Sequence, residues 1–311
     1  MLAHLQKILT LLLVAVACAW LLYFWERSAA LALGGFLGLL LGYSFFLACE
    51  FVTLRFVNRH DPAPQPDWRA LVQAWWGEFK VAPQVFCWWQ PFCSRRYPDE
   101  LVNPALRGRR GVVLVHGFFC NRGFWTPWLK RLQGRGHAFV ALNLEPVFGA
   151  IEDYAPLIDA AVSRVTQASG LPPLVVCHSM GGLAARAWLK VMQADHRVHR
   201  VVTIGSPHRG TWLARFSHGV NGRQMRLNGD WLAQLDQGMP ATRPALFTCW
   251  YSNCDNIVFP PSTATLQGAD NRLVLSAAHV QLAFLPELME ETLAWLAIDP
   301  PARKPWRPRA L

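Results

Sequence analysis

The chain has 311 residues, a formal net charge of +10, 52% hydrophobic residues and a mean hydropathy of +0.17. This length holds one domain of ordinary enzyme size plus a further segment. The positive charge is scattered and no helix-turn-helix, zinc-finger or RNA-binding signature accompanies it, which argues against a nucleic-acid partner and for anionic lipid headgroups.

Residues 8–25 run without a charge over about the length that a bilayer core requires. Glu26, Arg27 and Ser28 interrupt, and residues 29–49 are again uncharged. The pattern predicts two transmembrane helices joined as a hairpin, with Trp20, Tyr23, Phe24 and Trp25 as an aromatic belt. Gly34, Gly35, Gly38 and Gly42 are expected to let the second span approach the first closely. A second apolar run directly behind the first, with no small-residue cleavage site between them, argues against a removed signal peptide. Lys7 before the first span, with Arg55 and Arg59 after the second, places both ends and the following domain on the cytoplasmic side. The expected location is a bacterial inner membrane, crossed twice.

Residues 58–67 (NRHDPAPQPD) read as a proline-rich linker. Five tryptophans follow at 68, 75, 76, 88 and 89, which suit either a helix packed on the next domain or a segment at headgroup level. The eight cysteines have no metal-ligand spacing; Cys87 with Cys93, or Cys249 with Cys254, could bridge in an oxidising compartment.

From Gly111 onward short β-branched runs alternate with helical stretches. Strands are expected at 112–116, 138–144, 173–179, 198–205, 245–252 and 272–277. Helices are expected near 127–133, 152–169, 180–193 and 286–297, which together make a mainly parallel sheet covered on both faces.

The chemistry centres on Cys177-His178-Ser179-Met180-Gly181-Gly182, between an expected strand and helix. A serine on a tight strand-to-helix turn exposes its hydroxyl above the sheet edge, and its neighbours two residues away must be small. The usual pattern is G-x-S-x-G; Cys177 takes the first glycine position with a side chain that is still small. His116-Gly117-Phe118 follows the first strand, where the loop supplies one backbone N–H of an oxyanion hole. Phe118 and Met180 are the expected donors, and His116 is expected to fix the loop. A serine nucleophile needs a base and an orienting acid, in the chain order serine, acid, histidine. Asp255 and His279 each follow an expected strand and can converge on Ser179. Asp230, Asp236 and Asp270 compete for the acid role. His208 comes too early and His178 points along the turn.

The segments GVVLVHGF, VVCHSMGGLAAR, VVTIGSPHRGTWLA, Asp-Asn-Ile-Val and the late Ala-His-Val together resemble the bacterial triacylglycerol lipase and esterase families of the α/β-hydrolase superfamily, over roughly residues 108–298. The resemblance implies an α/β-hydrolase fold and carboxylic-ester hydrolysis, with Ser179, Asp255 and His279 as a triad and Phe118 and Met180 as oxyanion donors. Ser206 to Thr211 stands where those families carry a structural turn. Many relatives hold a structural calcium through an aspartate soon after the catalytic histidine. Here Gln281 and Leu282 stand there, and a neutral amide is a weaker ligand for a hard cation. No metal and no cofactor are expected.

The resulting organisation is a two-helix anchor (1–57), a Pro/Trp-rich lead-in (58–107), a hydrolase domain (108–298) and a basic tail (299–311). Residues 211–243, which include Trp212, Leu213, Phe216, Met225 and Trp231, are long for a simple connection and suit a lid or acyl-pocket wall. The expected partners are the bilayer and a lipid or other acyl-ester substrate. Two other functions use the same features: an acyltransferase that passes the acyl group to an alcohol or lipid, and a non-catalytic membrane protein that binds through a hydrolase-like domain.

Overall fold

The computed structural model describes residues 1–133, 135–297, 306 and 308. The tail arginines and lysine at 303, 304, 307 and 309 lie outside the described residues.

The chain opens with helix α1 (Leu2–Trp25), followed by α2 (Ala29–Leu41) and α3 (Tyr43–Val57). Helix α1 is long and apolar enough to cross a membrane, and its apolar side chains, Ile8, Leu9, Leu12 and Val16 among them, stand exposed. Lys7, expected ahead of the span, lies inside this helix with its ammonium over the Phe92 ring. The second expected span is not one straight helix. It breaks at Gly42 with a 51° bend between α2 and the helical stretch that follows, and that stretch continues past residue 49 to carry Glu50 and Arg55. Glycine in a helix exposes backbone and is a recurrent site of kinks. Of the four glycines expected at the helix contact, Gly35 makes it: a Cβ there would sit 1.8 Å from Trp20 Nε1. Gly34 and Gly38 face open space.

The proline-rich segment is packed rather than a free linker. Asn58 is buried, Asp61 accepts a hydrogen bond from Ser262 N, and the carbonyl of Pro64 accepts one from Asn253. Proline gives up its N–H but keeps its carbonyl, so an extended proline-rich strap can still bind a neighbouring surface. Helix α4 (Trp68–Pro83) is capped by Asp67. It passes through a π-helical turn (Gln84–Trp89) into α5 (Gln90–Cys93). Leu71, Ala74, Gly77 and Glu78 are its buried face, while Trp68, Trp76 and Trp88 of this region remain exposed.

All six expected strands form: β1 (Val112–Val115), β2 (Phe139–Ala141), β3 (Leu174–His178), β4 (Arg200–Ile204), β5 (Phe247–Ser252) and β6 (Asp270–Val274). Each is parallel to its neighbours, in the order β2-β1-β3-β4-β5-β6. Such strands are buried on both faces, which explains their near-continuous apolar sequences. Helices α6 (Thr126–Gln133), α7 (Ala155–Ser169) and α8 (Met180–Val191) lie between the early strands. On one face, Ile158, Val162 and Val165 of α7 pack with Leu183 and Trp188 of α8. On the other, Trp128 and Leu132 of α6 pack with Leu288 and Leu293 of the helix that follows the last strand.

Between β4 and β5 the chain forms two short helices, α9 (Val220–Gln224) and α10 (Asp230–Asp236). Most of this region's apolar side chains join the core rather than a free lid surface. Met225 is buried with Leu232 and Leu235, Trp231 donates to Glu152, and Trp212 stacks on Phe259; Phe216 is the broadly exposed one of the five expected wall residues. After β6 come α11 (His279–Leu282) and α12 (Pro286–Leu293). The eight cysteines are free, so neither expected bridge forms. A third core cluster joins Phe51 and Leu54 of α3 and Leu71 and Ala74 of α4 to Cys254, Phe259 and Ala278. It sits beneath the loops that follow β5 and β6.

Candidate active site

The strand order reverses direction between β1 and β3, and in an open parallel sheet the crevice at the carboxyl ends of such strands is where ligands bind. Ser179 follows β3 and Phe118 follows β1, so the two flank that crevice. Ser179 has φ +55 and ψ −128. A non-glycine residue at positive φ stores strain, as a serine held up on a sharp turn must. Its N–H donates to Ile204 O at 2.9 Å, which ties the turn to the end of β4. The two glycines after Met180 are dictated by contact: a Cβ on Gly181 would lie 2.5 Å from Val115 O, and one on Gly182 would lie 2.2 Å from Ser206 Oγ. The first N–H groups of α8 have no partner within the helix and present positive partial charge, with Met180 N at the front.

Gly117 brings the loop after β1 onto the serine; a Cβ there would be 2.8 Å from Ser179 Cβ. Phe118 follows directly and is 36% exposed, while Phe119 holds φ +55. The rings of Phe118, Phe119 and Phe148 cluster beside this turn. His116 has the structural part expected for it. Its Nδ1 bonds the Gly117 carbonyl and its Nε2 accepts the N–H of Leu144, which assigns the proton to Nδ1. Burial pulls its pKa down to about 4, so the ring is neutral.

Asp255 and His279 are brought together. Asp255 is 2% exposed; its Oδ2 bonds His279 Nδ1 at 2.9 Å, and its Oδ1 accepts the N–H groups of Ile257 and Val258. Burial pulls the imidazole of His279 down, but the charge and hydrogen bond of Asp255, with the charges of Glu78 and Glu50, together outweigh it and leave the ring above its ordinary value. Gly205, one residue beyond the acceptor of Ser179 N, connects the pair to the serine: a Cβ on it would lie 2.9 Å from Asp255 Oδ2 and 3.0 Å from His279 Nδ1. The competing acids are engaged elsewhere, Asp236 with Arg186 and Asp270 with Arg272, while Asp230 opens α10. His208 bonds Thr203 and is a buried structural residue.

Three groups escaped the sequence. His178 does more than follow the turn: its ring lies 4.6 Å from that of His279 and stacks on Phe124. Asn256 accepts the N–H of His279 and donates to Glu50. Glu78 accepts the N–H groups of Val280 and Gln281. Each has at least one partner far off in the chain, His279 for His178, Glu50 for Asn256 and Val280 for Glu78, and no local pattern marks such pairs.

Comparison with curated proteins finds no match. Among solved structures, the mature form of the Bacillus licheniformis lipase BlEst2 aligns with a TM-score of 0.51 at 20% identity, over 63% of this chain and 95% of that one. Lipase B of Aspergillus fumigatus aligns with a TM-score of 0.47 at 21% identity, over 56% of this chain and 44% of its own, so this chain matches less than half of that enzyme. The Bacillus subtilis carboxylesterase CesB aligns at 0.38 and 16% identity, over 61% and 84%. At these identities the likeness concerns the fold. A family model matches residues 112–310, more than half of the sequence and the whole of the sheet, and the chain belongs to the alpha/beta hydrolase family.

Proposed function

We propose that this protein is a membrane-anchored serine esterase that hydrolyses carboxylic esters, lipid acyl esters among them, through an acyl-enzyme on Ser179. The observation that carries the reading is the Asp255–His279 hydrogen bond at the carboxyl edge of the sheet, beside a serine held at positive φ. With Nδ1–H donated to Asp255, Nε2 of His279 is unprotonated and takes the proton of Ser179. The serine Oγ attacks the ester carbonyl carbon, and the oxyanion is met by the N–H groups of Phe118 and Met180 at the positive end of α8. Collapse breaks the ester C–O bond, and the leaving alcohol takes the proton from His279. Water, deprotonated by the same imidazole, then attacks the acyl carbon; the bond from that carbon to Ser179 Oγ breaks, Oγ takes the proton back from His279, and the acid is released.

The lipid assignment is supported by the exposed rings of Phe118 and Phe148 beside the oxyanion turn and by the apolar surface of α1. Within the anchor of residues 1–57, the apolar stretches 8–25 and 29–41 are proposed to lie in the bilayer, with Gln6 and the Glu50-to-Leu54 turns against the hydrolase domain on the cytoplasmic side, in keeping with Lys7, Arg55 and Arg59. The test is hydrolysis of esters of increasing acyl length by wild type and Ser179→Ala, together with fluorophosphonate labelling. Folded wild-type protein that stays unlabelled at neutral pH would sink the proposal. Product analysis separates released fatty acid from a transferred acyl chain. A reporter fused after residue 311 reads the side of the membrane.

A further inference from the structure

The peptide run around His279 is held by side chains at four successive N–H groups. Ala278 N donates to Gln281 Oε1 at 3.2 Å and His279 N to Asn256 Oδ1 at 3.1 Å. Val280 N donates to both oxygens of Glu78, at 3.1 and 3.2 Å, and Gln281 N donates to Glu78 Oε2 at 3.0 Å. Two of these four anchors thus come from one carboxylate on α4, some 200 positions earlier in the chain. Glu78 is 2% exposed, and a fully buried carboxylate is costly unless hydrogen bonds and nearby positive charge compensate it. The two N–H groups supply the first. Among the described residues, the imidazole of His279 is the ionisable side chain whose positive charge favours the ionised carboxylate.

The packing between α4 and α11 is as close as this bonding requires. A Cβ on Gly77 would stand 2.2 Å from Gln281 Oε1, so glycine at 77 makes room for the amide that holds Ala278 N. Asn256, the anchor of His279 N, is itself held by Glu50 of α3, whose Oε2 accepts from Asn256 Nδ2 at 2.7 Å. Asn253 of the same loop donates to Pro64 O.

From this network we propose that Glu78 is a positioning residue for His279, fixing the base through the peptides of Val280 and Gln281 and facing the imidazolium that forms in the transition state. The lead-in helix is then part of the catalytic apparatus and not a tether. The proposal rests on His279 being the base for Ser179. Burial, only partly offset by its two amide donors and His279, leaves the carboxyl of Glu78 raised to about 7, so it is part ionised at neutral pH and fully ionised at alkaline pH. The groups that face His279 are Asp255 from the loop after β5, Glu78 from α4, Glu50 from α3 and His178 at the end of β3. Each of the three acids favours the charged imidazole, and His178, kept neutral by burial, does not oppose it.

The test uses the full-length protein with an ester substrate. Glu78→Gln should lower kcat on the order of 10- to 100-fold with KM unchanged, since a small displacement of a reacting group has effects of that size. The same substitution should move the acidic limb of the pH–kcat profile to lower pH, because one negative charge that favours the imidazolium is gone. Fluorophosphonate labelling of Ser179 should slow by a similar factor, and Glu78→Asp should recover part of the rate. Gly77→Ala, which displaces Gln281 and leaves every charge in place, should lower kcat without moving the limb. A Glu78→Gln protein with wild-type kcat and an unmoved limb but a lower melting temperature overturns the proposal and leaves Glu78 a packing residue. Should Glu78→Gln fail to fold, Glu78→Asp and Gly77→Ala decide: wild-type kcat in both also overturns it. Absence of labelling in the wild type instead strikes at the serine-esterase reading itself, an outcome distinct from any of these.

Discussion

Asn121 donates its side-chain amide to Gln6 Oε1 at 2.8 Å, bonding the first helix to the loop that carries Phe118. Gln6 returns the contact through Nε2 to the Phe119 carbonyl at 3.3 Å, and Gln90 accepts the N–H of Asn121 at 2.8 Å. All three side chains are buried, so each bond lost leaves an unpaired polar group, at about 1–3 kcal/mol each. Gln6→Leu is expected to lower the melting temperature and to reduce kcat several-fold as the turn at Phe118 and Phe119 loosens. Thermal unfolding in detergent and ester turnover check both parts. An unchanged kcat would mean that the turn holds its shape without the helix.

Gly205 is required both by its φ of +57 and by its neighbours. Gly205→Ala would drive a methyl group against Asp255 Oδ2 and His279 Nδ1 and separate the acid from the base. The expected result is a loss of kcat on the order of 100-fold, with far-UV circular dichroism preserved. Wild-type turnover in this variant would place the working acid–base pair elsewhere.

The pH dependence follows from the sign of the shift at His279. Burial lowers its pKa, but the charge and hydrogen bond of Asp255, joined by the charges of Glu78 and Glu50, together raise it by more, and the ring titrates above its ordinary value. Only the neutral ring takes the serine proton, so hydrolysis should fall as pH drops through this raised value. In Asp255→Asn the supporting charge disappears and the Nδ1 tautomer is no longer enforced. The acidic limb should then move to lower pH while kcat falls by roughly 10⁴, the size of loss seen when the acid of a serine triad is neutralised. Rate profiles between pH 5 and pH 9 test both statements.

Trp128 is fully buried, and its indole N–H donates to Ala283 O at 2.8 Å, joining α6 to the turn after α11. Trp128→Ala should cost about 3–5 kcal/mol of stability, read as a lower midpoint in denaturant. The loss should exceed that of Trp76→Ala, which removes a half-exposed ring.

The sheet and the turn at Ser179 were legible because their causes are local. Val112–Val115 and Leu174–Cys177 are apolar runs that reach Gly117 and Ser179 within two residues, the pattern of buried parallel strands that end in tight turns. The meeting of Asp255 with His279 could be anticipated because each follows a strand, and strand ends share an edge. The path of residues 29–60 was less legible: apolar content fixes that a segment is greasy, while the bend at Gly42 depends on how α3 seats Phe51 and Leu54 against the loops beneath the site. The strap at 58–67 looked loose because prolines lack the N–H of regular structure, while it binds through the Pro64 carbonyl and the Asp61 carboxylate. Glu78 and Glu50 gave no sign at all, since an acid in a tryptophan-rich helix or an apolar span has no pattern that names a partner more than 200 positions on.

That separation has a consequence for how the protein comes into being. Helices α1 to α4 leave the ribosome long before the strands whose loops they support, and the amides that Glu78 accepts do not exist until the chain has reached residue 281. Until then water, rather than those amides, must solvate the carboxylate of Glu78. The base is seated only when the segment at 278–281 packs on α4. A fragment cut at the start of the matched family segment would contain the serine, the acid and the histidine and still lack the floor on which the histidine rests.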